Sequence, residues 1–144
     1  MKIQDKDIWH GAALTQIVEH PSFKALNRAS DKYGHYLINS DIRVFLKYSK
    51  GSGPWHFTIT PDDCSVMLHD SFQAGATFVT FVCGTTTIAL VTTLELWQIV
   101  ERTSNSQQWI RVAAPSGKSI RIRGSTGNLP RTVAHNRFPA DLFD

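Results

Sequence analysis

A chain of 144 residues has the size of one domain, and burying roughly two-thirds of its unfolded surface supports a real core. With 42% apolar and 19% charged residues, the composition excludes an intrinsically disordered chain. The net charge of +3 is a mild bias whose distribution matters more than its size. Between Gln107 and Phe138 stand Arg111, Lys118, Arg121, Arg123, Arg131 and Arg137 with no acidic residue among them, a one-sided segment that attracts anions.

Met1 to Asp7 alternates charge and lacks the apolar run of a signal peptide. The next segment, Asp7 to Val18, has Ile8, Ala12 and either Leu14 or Val18 near helical spacing, with Asp5 or Asp7 as N-cap. Pro21 interrupts it and opens an expected second short helix, Ser22 to Ala29, with Phe23 and Leu26 inward. Then the period changes to two. His35 to Asn39 and Arg43 to Ser49 read as a hairpin turning at Ser40-Asp41, the returning strand having one apolar and one mainly basic face. A loop of odd length places Arg43 and Lys47 on the same face as His35 and Asn39. A two-residue loop opposes them, and the pattern favours the odd loop.

Trp55 to Thr60 alternates with Trp55, Phe57 and Ile59 inward. Thr60-Pro61-Asp62-Asp63 then reads as a capping box opening a helix that buries Cys64 or Val66, Met67 or Leu68, and Phe72. Ser71 to Leu94 carries no charged residue and is long enough for a bilayer. Its threonines, β-branched residues and Gly84 fit two buried strands, Thr77 to Cys83 and Thr87 to Val91, so no membrane span is expected. Thr92 and Glu95 repeat the capping box before a third helix with Leu94, Trp97 and Val100 inward. Trp109 to Ala113 and Ser119 to Arg123 form a last hairpin, and the tail from Gly124 is irregular, its end tucked back on the domain. The expectation is one α+β domain, residues 1–144, with a mostly antiparallel sheet packed by about three helices. Cys64 and Cys83 lack metal-ligand spacing and read as buried apolar residues in a cytoplasmic setting.

Two clusters carry candidate chemistry. In the last hairpin, alternation puts Trp109, Arg111, Ser119, Arg121 and Arg123 on one face, where guanidinium groups bind phosphates and the indole stacks a base. Lys118, Arg131 and Arg137 extend this basic segment. The second cluster is Arg43, Lys47, His56 and Thr58 on the first sheet strands, a place for phosphate binding or acid–base work near neutral pH.

Glu19 on the first helix, Asp41 at the hairpin and Lys47 on the next strand follow one another as in the restriction-endonuclease-like arrangement of helix glutamate, strand aspartate and lysine, which this order resembles. The resemblance implies a Mg²⁺-dependent nuclease. However, Phe45 stands where the family's acid-x-Lys signature has its acid, and that removes a metal ligand. Ser116-Gly117-Lys118-Ser119 has the ending of a phosphate-binding P-loop, but Val112 occupies the place of its first glycine.

Three readings therefore compete. The first is a binding module for DNA, RNA or another polyphosphate, needing no cofactor and using Trp109, Arg111, Arg121 and Arg123 with Arg43. The second is a protein-interaction or inhibitor module anchored by tryptophans such as Trp9 and Trp109. The third is an enzyme on phosphodiesters using Glu19, Asp41, Lys47 and His56. They rank in that order.

Overall fold

A computed structural model describes residues 1–144. The chain is α+β, with two mostly antiparallel sheets and four helices. It runs α1 (Asp5–Val18), β1 (Leu26–Arg28), β2 (His35–Ile38), β3 (Ile42–Ser49), β4 (Trp55–Ile59), α2 (Pro61–Ser71), β5 (Ala76–Cys83), β6 (Thr87–Thr92), α3 (Thr93–Leu96), β7 (Gln108–Ala113), β8 (Arg121–Gly124), β9 (Gly127–Asn128) and α4 (Arg137–Ala140). No helix is long and apolar enough to cross a membrane.

One sheet has the order β1-β2-β3-β5-β6 and the other β4-β7-β8-β9. Only β3 and β5 pair in parallel, and the crossover through β4 and α2 supplies the long connection a parallel pair requires. Both strands carry buried apolar side chains toward both faces, because both faces are covered. Val44, Leu46, Phe78 and Val82 pack against Ala13 and Ile17 of α1 and Phe138 and Leu142 at the C-terminus. Phe45, Val79, Phe81 and Cys83 pack against Trp55, Phe57, Ile110, Val112 and Ile122 of the second sheet. Phe57 and Phe81 meet across this layer with ring centroids 4.8 Å apart. The second sheet is thus buried on one face and open on the other.

The β2–β3 hairpin has the odd loop, for Ile38 pairs with Ile42 and leaves Asn39, Ser40 and Asp41 between. His35, Arg43 and Lys47 consequently share a face. That face is not an open basic surface, because α2 and the second sheet cover it around the buried Phe45. Both expected capping boxes on threonine form, Thr60 with Asp63 and Thr92 with Glu95.

Other expectations need correction. Ser22 to Ala29 is a turn followed by β1. The Asn39 side chain accepts from the Lys24 and Ala25 N–H groups, and β1 then pairs with β2, so backbone bonding to a neighbouring strand overrides local helix preference. Asp7 is the N3 partner of Gln4, whose N–H it accepts at 2.8 Å, so neither expected aspartate is the cap of α1. Phe72 and Leu94 are exposed, while Asp70, Leu96 and Ile99 are buried in their place. The third helix is a single turn, and β6 is an edge strand beside α4 rather than a central one. The tail also carries β9 and a bridge between Ile120 and Val133, and its end does tuck in through Phe138 and Leu142.

Candidate nucleic-acid interface

Residues directly opposite on antiparallel strands point to the same face. His56 on β4 pairs with Arg111 on β7, Arg111 with Arg123 on β8, and Arg123 with Asn128 on β9. At about 5 Å per strand, His56 to Arg123 is a row roughly 10 Å long across the open sheet. One step along the strands, Thr58 pairs with Trp109, and one step the other way Ala113 pairs with Arg121. The buried alternates, Ile110, Val112 and Ile122, hold this register by occupying the core.

Trp109 is 41% exposed, and the Arg123 guanidinium lies 5.5 Å from its ring. None of Arg111, Arg121 and Arg123 has a carboxylate partner, whereas every other arginine or lysine ion pair lies elsewhere on the molecule. The charge of the face is therefore uncompensated.

The second basic cluster divides. His56 and Thr58 join the arginine face. Lys47 Nζ instead donates to the Thr58 carbonyl at 2.7 Å and to Asp63 Oδ2 at 2.7 Å. Lys32 reaches the same Asp63 at 3.0 Å and also pairs with Asp62. Burial favours the neutral Asp63 carboxyl, but hydrogen bonds from Lys47, the Thr60 N–H and Lys32 outweigh it and hold Asp63 below the usual carboxylate range. Burial likewise opposes the charge on Lys32, and Asp62 and Asp63 overcome it to raise that lysine. Arg43 turns away to the end of α2, bonding the Ala74 carbonyl at 3.1 Å and lying 3.9 Å from Asp70.

A cleft of about 480 Å³ opens beside the face, lined by His10, Lys32, Lys47, Tyr48, His56 and Asp63 among others. Burial, then Lys6, lowers His10 below the ordinary histidine range. Because His56 and Thr58 border both regions, cleft and arginine face are continuous.

Of the remaining candidates, Arg137 bonds Glu95 at 2.9 Å, Asp141 at 3.1 Å and the Leu90 carbonyl at 3.2 Å, which makes it a brace between α4 and β6. Lys118 is exposed at the β7–β8 turn and Arg131 in the segment after β9. Glu19 is the exposed C-cap of α1, and Asp41 is exposed before β3, about 20 Å along the strand from Lys47 at 3.3 Å per residue. No three His, Cys, Asp or Glu side chains gather at metal-binding distance, so these residues do not assemble the arrangement their order resembles. Both cysteines are buried, and burial raises the Cys64 thiol and pushes that of Cys83 up to about 12, which leaves neither a nucleophile at neutral pH.

Asp63 and Asp70 escape sequence reasoning. The first is fully explained there as a helix cap, and the second lies on a helix whose inward stripe is read as wholly apolar. A polar residue at a core-facing position of α2 is the signal that exposes Asp70. The chain matches no protein-family model, and no curated protein or solved structure is significantly similar to it.

Proposed function

We propose that the open face of the β4-β7-β8-β9 sheet binds nucleic acid or another polyphosphate chain. The observation that carries this reading is the row His56–Arg111–Arg123, uncompensated by carboxylates and flanked by the half-exposed Trp109. Guanidinium groups fork onto phosphate oxygens, and an exposed indole offers a stacking surface to any base. Single strands suit the face better than duplex, because they present unstacked bases to Trp109.

Fluorescence anisotropy tests the reading with labelled single-stranded DNA, duplex DNA and RNA at two salt concentrations, with Mg²⁺ present. Affinity that falls steeply with salt supports phosphate contact, since each neutralised phosphate releases counterions. Absence of binding at low salt overturns it. Shortening of the probe moves the assignment from binding to phosphodiester cleavage in the adjoining cleft.

A further inference from the structure

A second cluster lies away from the arginine face, where the loop between β1 and β2 meets α2. Here His35 Nε2 is 2.6 Å from Asp70 Oδ2, and His35 Nδ1 is 2.7 Å from the Ser30 hydroxyl. The histidine and aspartate are buried, at 4% and 7% side-chain exposure, while Ser30 is at the surface. Arg43 Nε stands 3.9 Å from the other Asp70 oxygen.

The protonation pattern follows from the partners. An ionised carboxylate only accepts, so Nε2 carries the ring proton and donates it to Asp70. In the neutral ring Nδ1 is then a lone pair, and the Ser30 hydroxyl donates to it. A nucleophile within hydrogen-bond reach of a base, itself oriented by a third group, is the geometry of an activated serine. The ring is used in the opposite sense to the familiar serine-protease triad, in which Nε2 faces the serine, but the roles are the same.

We infer that Ser30, His35 and Asp70 form an acyl-transfer site for carboxylic esters, with Ser30 as nucleophile, His35 as general base and acid, and Asp70 as the positioning residue. Ser30 Oγ attacks the ester carbonyl carbon while its proton passes to His35 Nδ1. The bond from that carbon to the alcohol oxygen then breaks, and the departing oxygen takes the proton from Nδ1. Water repeats the sequence on the acyl-serine, giving the carboxylic acid and restoring the Ser30 hydroxyl. The Asp31, Tyr33 and Gly34 amides of the same loop donate to no acceptor within the chain, which leaves them free to donate to a ligand. Beside the cluster lies a surface hollow of about 420 Å³ lined by residues that include Arg28, Tyr33, His35 and Tyr36.

The test is covalent labelling of the whole chain with a fluorophosphonate probe, mapped by mass spectrometry, together with hydrolysis of p-nitrophenyl acetate. The expected result is a single adduct on Ser30 and hydrolysis at least about 100-fold faster than in Ser30→Ala. Ser30→Ala removes the partner of the buried His35 Nδ1, so circular dichroism and urea unfolding of the variant check that it is folded, and the mapped adduct on the wild-type chain stands independently of it. Asp70→Asn reverses what the aspartate offers to Nε2 and is expected to lower kcat with KM unchanged. No adduct on the wild-type chain, an adduct that persists in Ser30→Ala, or equal hydrolysis by both proteins overturns the assignment.

Discussion

Lys47 on β3 and Asp63 in the first turn of α2 meet at 2.7 Å at the seam where the two sheets face each other. Asp63 also accepts the Thr60 N–H at 2.9 Å, so one carboxylate closes the helix cap and neutralises a lysine from another element. With Lys32 as a second cation, it ties the β1–β2 loop, β3 and α2 together.

Asp63→Asn keeps an oxygen for the Thr60 N–H and removes only the charge. Both lysines are then left with less compensation in a partly buried place, and the expected loss is about 2 kcal/mol of stability. Urea unfolding measures it. A loss below about 0.5 kcal/mol shows that the pair behaves like an exposed ion pair.

The same carboxylate sets an acid limit. Its folded pKa lies below the unfolded value, so its contribution is complete above about pH 4 and disappears as the pH falls through the depressed folded value. The stability difference between wild type and Asp63→Asn is therefore expected to be constant from pH 5 to pH 8 and to shrink below about pH 4. Lys32 acts in the opposite sense, its raised pKa giving a contribution lost only as the pH rises beyond about 10.4. Urea midpoints across this range, for both proteins, check the sign.

On the open sheet, Arg111→Ala with Arg123→Ala removes two phosphate contacts. The slope of log affinity against log salt is expected to fall by about 1.4 for a single strand, at about 0.7 per contact. Trp109→Ala is expected to weaken binding by about 1–3 kcal/mol with little change in that slope. Arg137→Ala gives the contrasting result. Its guanidinium is already committed to Glu95, Asp141 and Leu90, so it costs about 1–3 kcal/mol of stability and leaves the salt slope unchanged. Anisotropy and urea unfolding on the same variants separate the two roles.

Gly75, between α2 and β5, has φ +101°, and a Cβ there comes within 1.9 Å of the Asp41 carbonyl oxygen. The Ala76 N–H bonds that same carbonyl at 3.0 Å, so the close approach is part of how β5 docks beside β3. Gly117, at φ +72° in the β7–β8 turn, has nothing within 4 Å. Gly117→Ala is expected to cost about 1 kcal/mol, from backbone conformation alone, and Gly75→Ala at least about 3 kcal/mol, since backbone must move as well. Thermal melts of the two variants that agree within error contradict this account.

Much of the fold was legible because its signals are short-range. Trp55, Phe57 and Ile59 show their inward face by alternation alone, and Ile110, Val112 and Ile122 do the same opposite them. The side chains of the arginine face follow from that alternation. What could not be read is that His56 lies beside Arg111, since their strands are separated by α2, β5, β6 and α3 and nothing local states the pairing. The cluster of Ser30, His35 and Asp70 was invisible for a similar reason, with the histidine and aspartate 35 residues apart and the aspartate on a stripe otherwise read as apolar.

The sequence by itself determined the capped starts of α2 and α3, the two-residue period of the strands and the one-sided charge of the last hairpin, and it favoured the odd hairpin loop. Each of these depends on hydrogen bonds or side-chain periodicity within a few residues. Only the tertiary structure decided which charges are spent and which remain available. Lys47, Arg43 and Arg137 look as basic in the sequence as Arg111, Arg121 and Arg123, but packing brings the first three against Asp63, Asp70, Glu95 and Asp141. A charge drawn toward the interior requires a partner, whereas one on an open sheet face is solvated by water and stays free for a ligand.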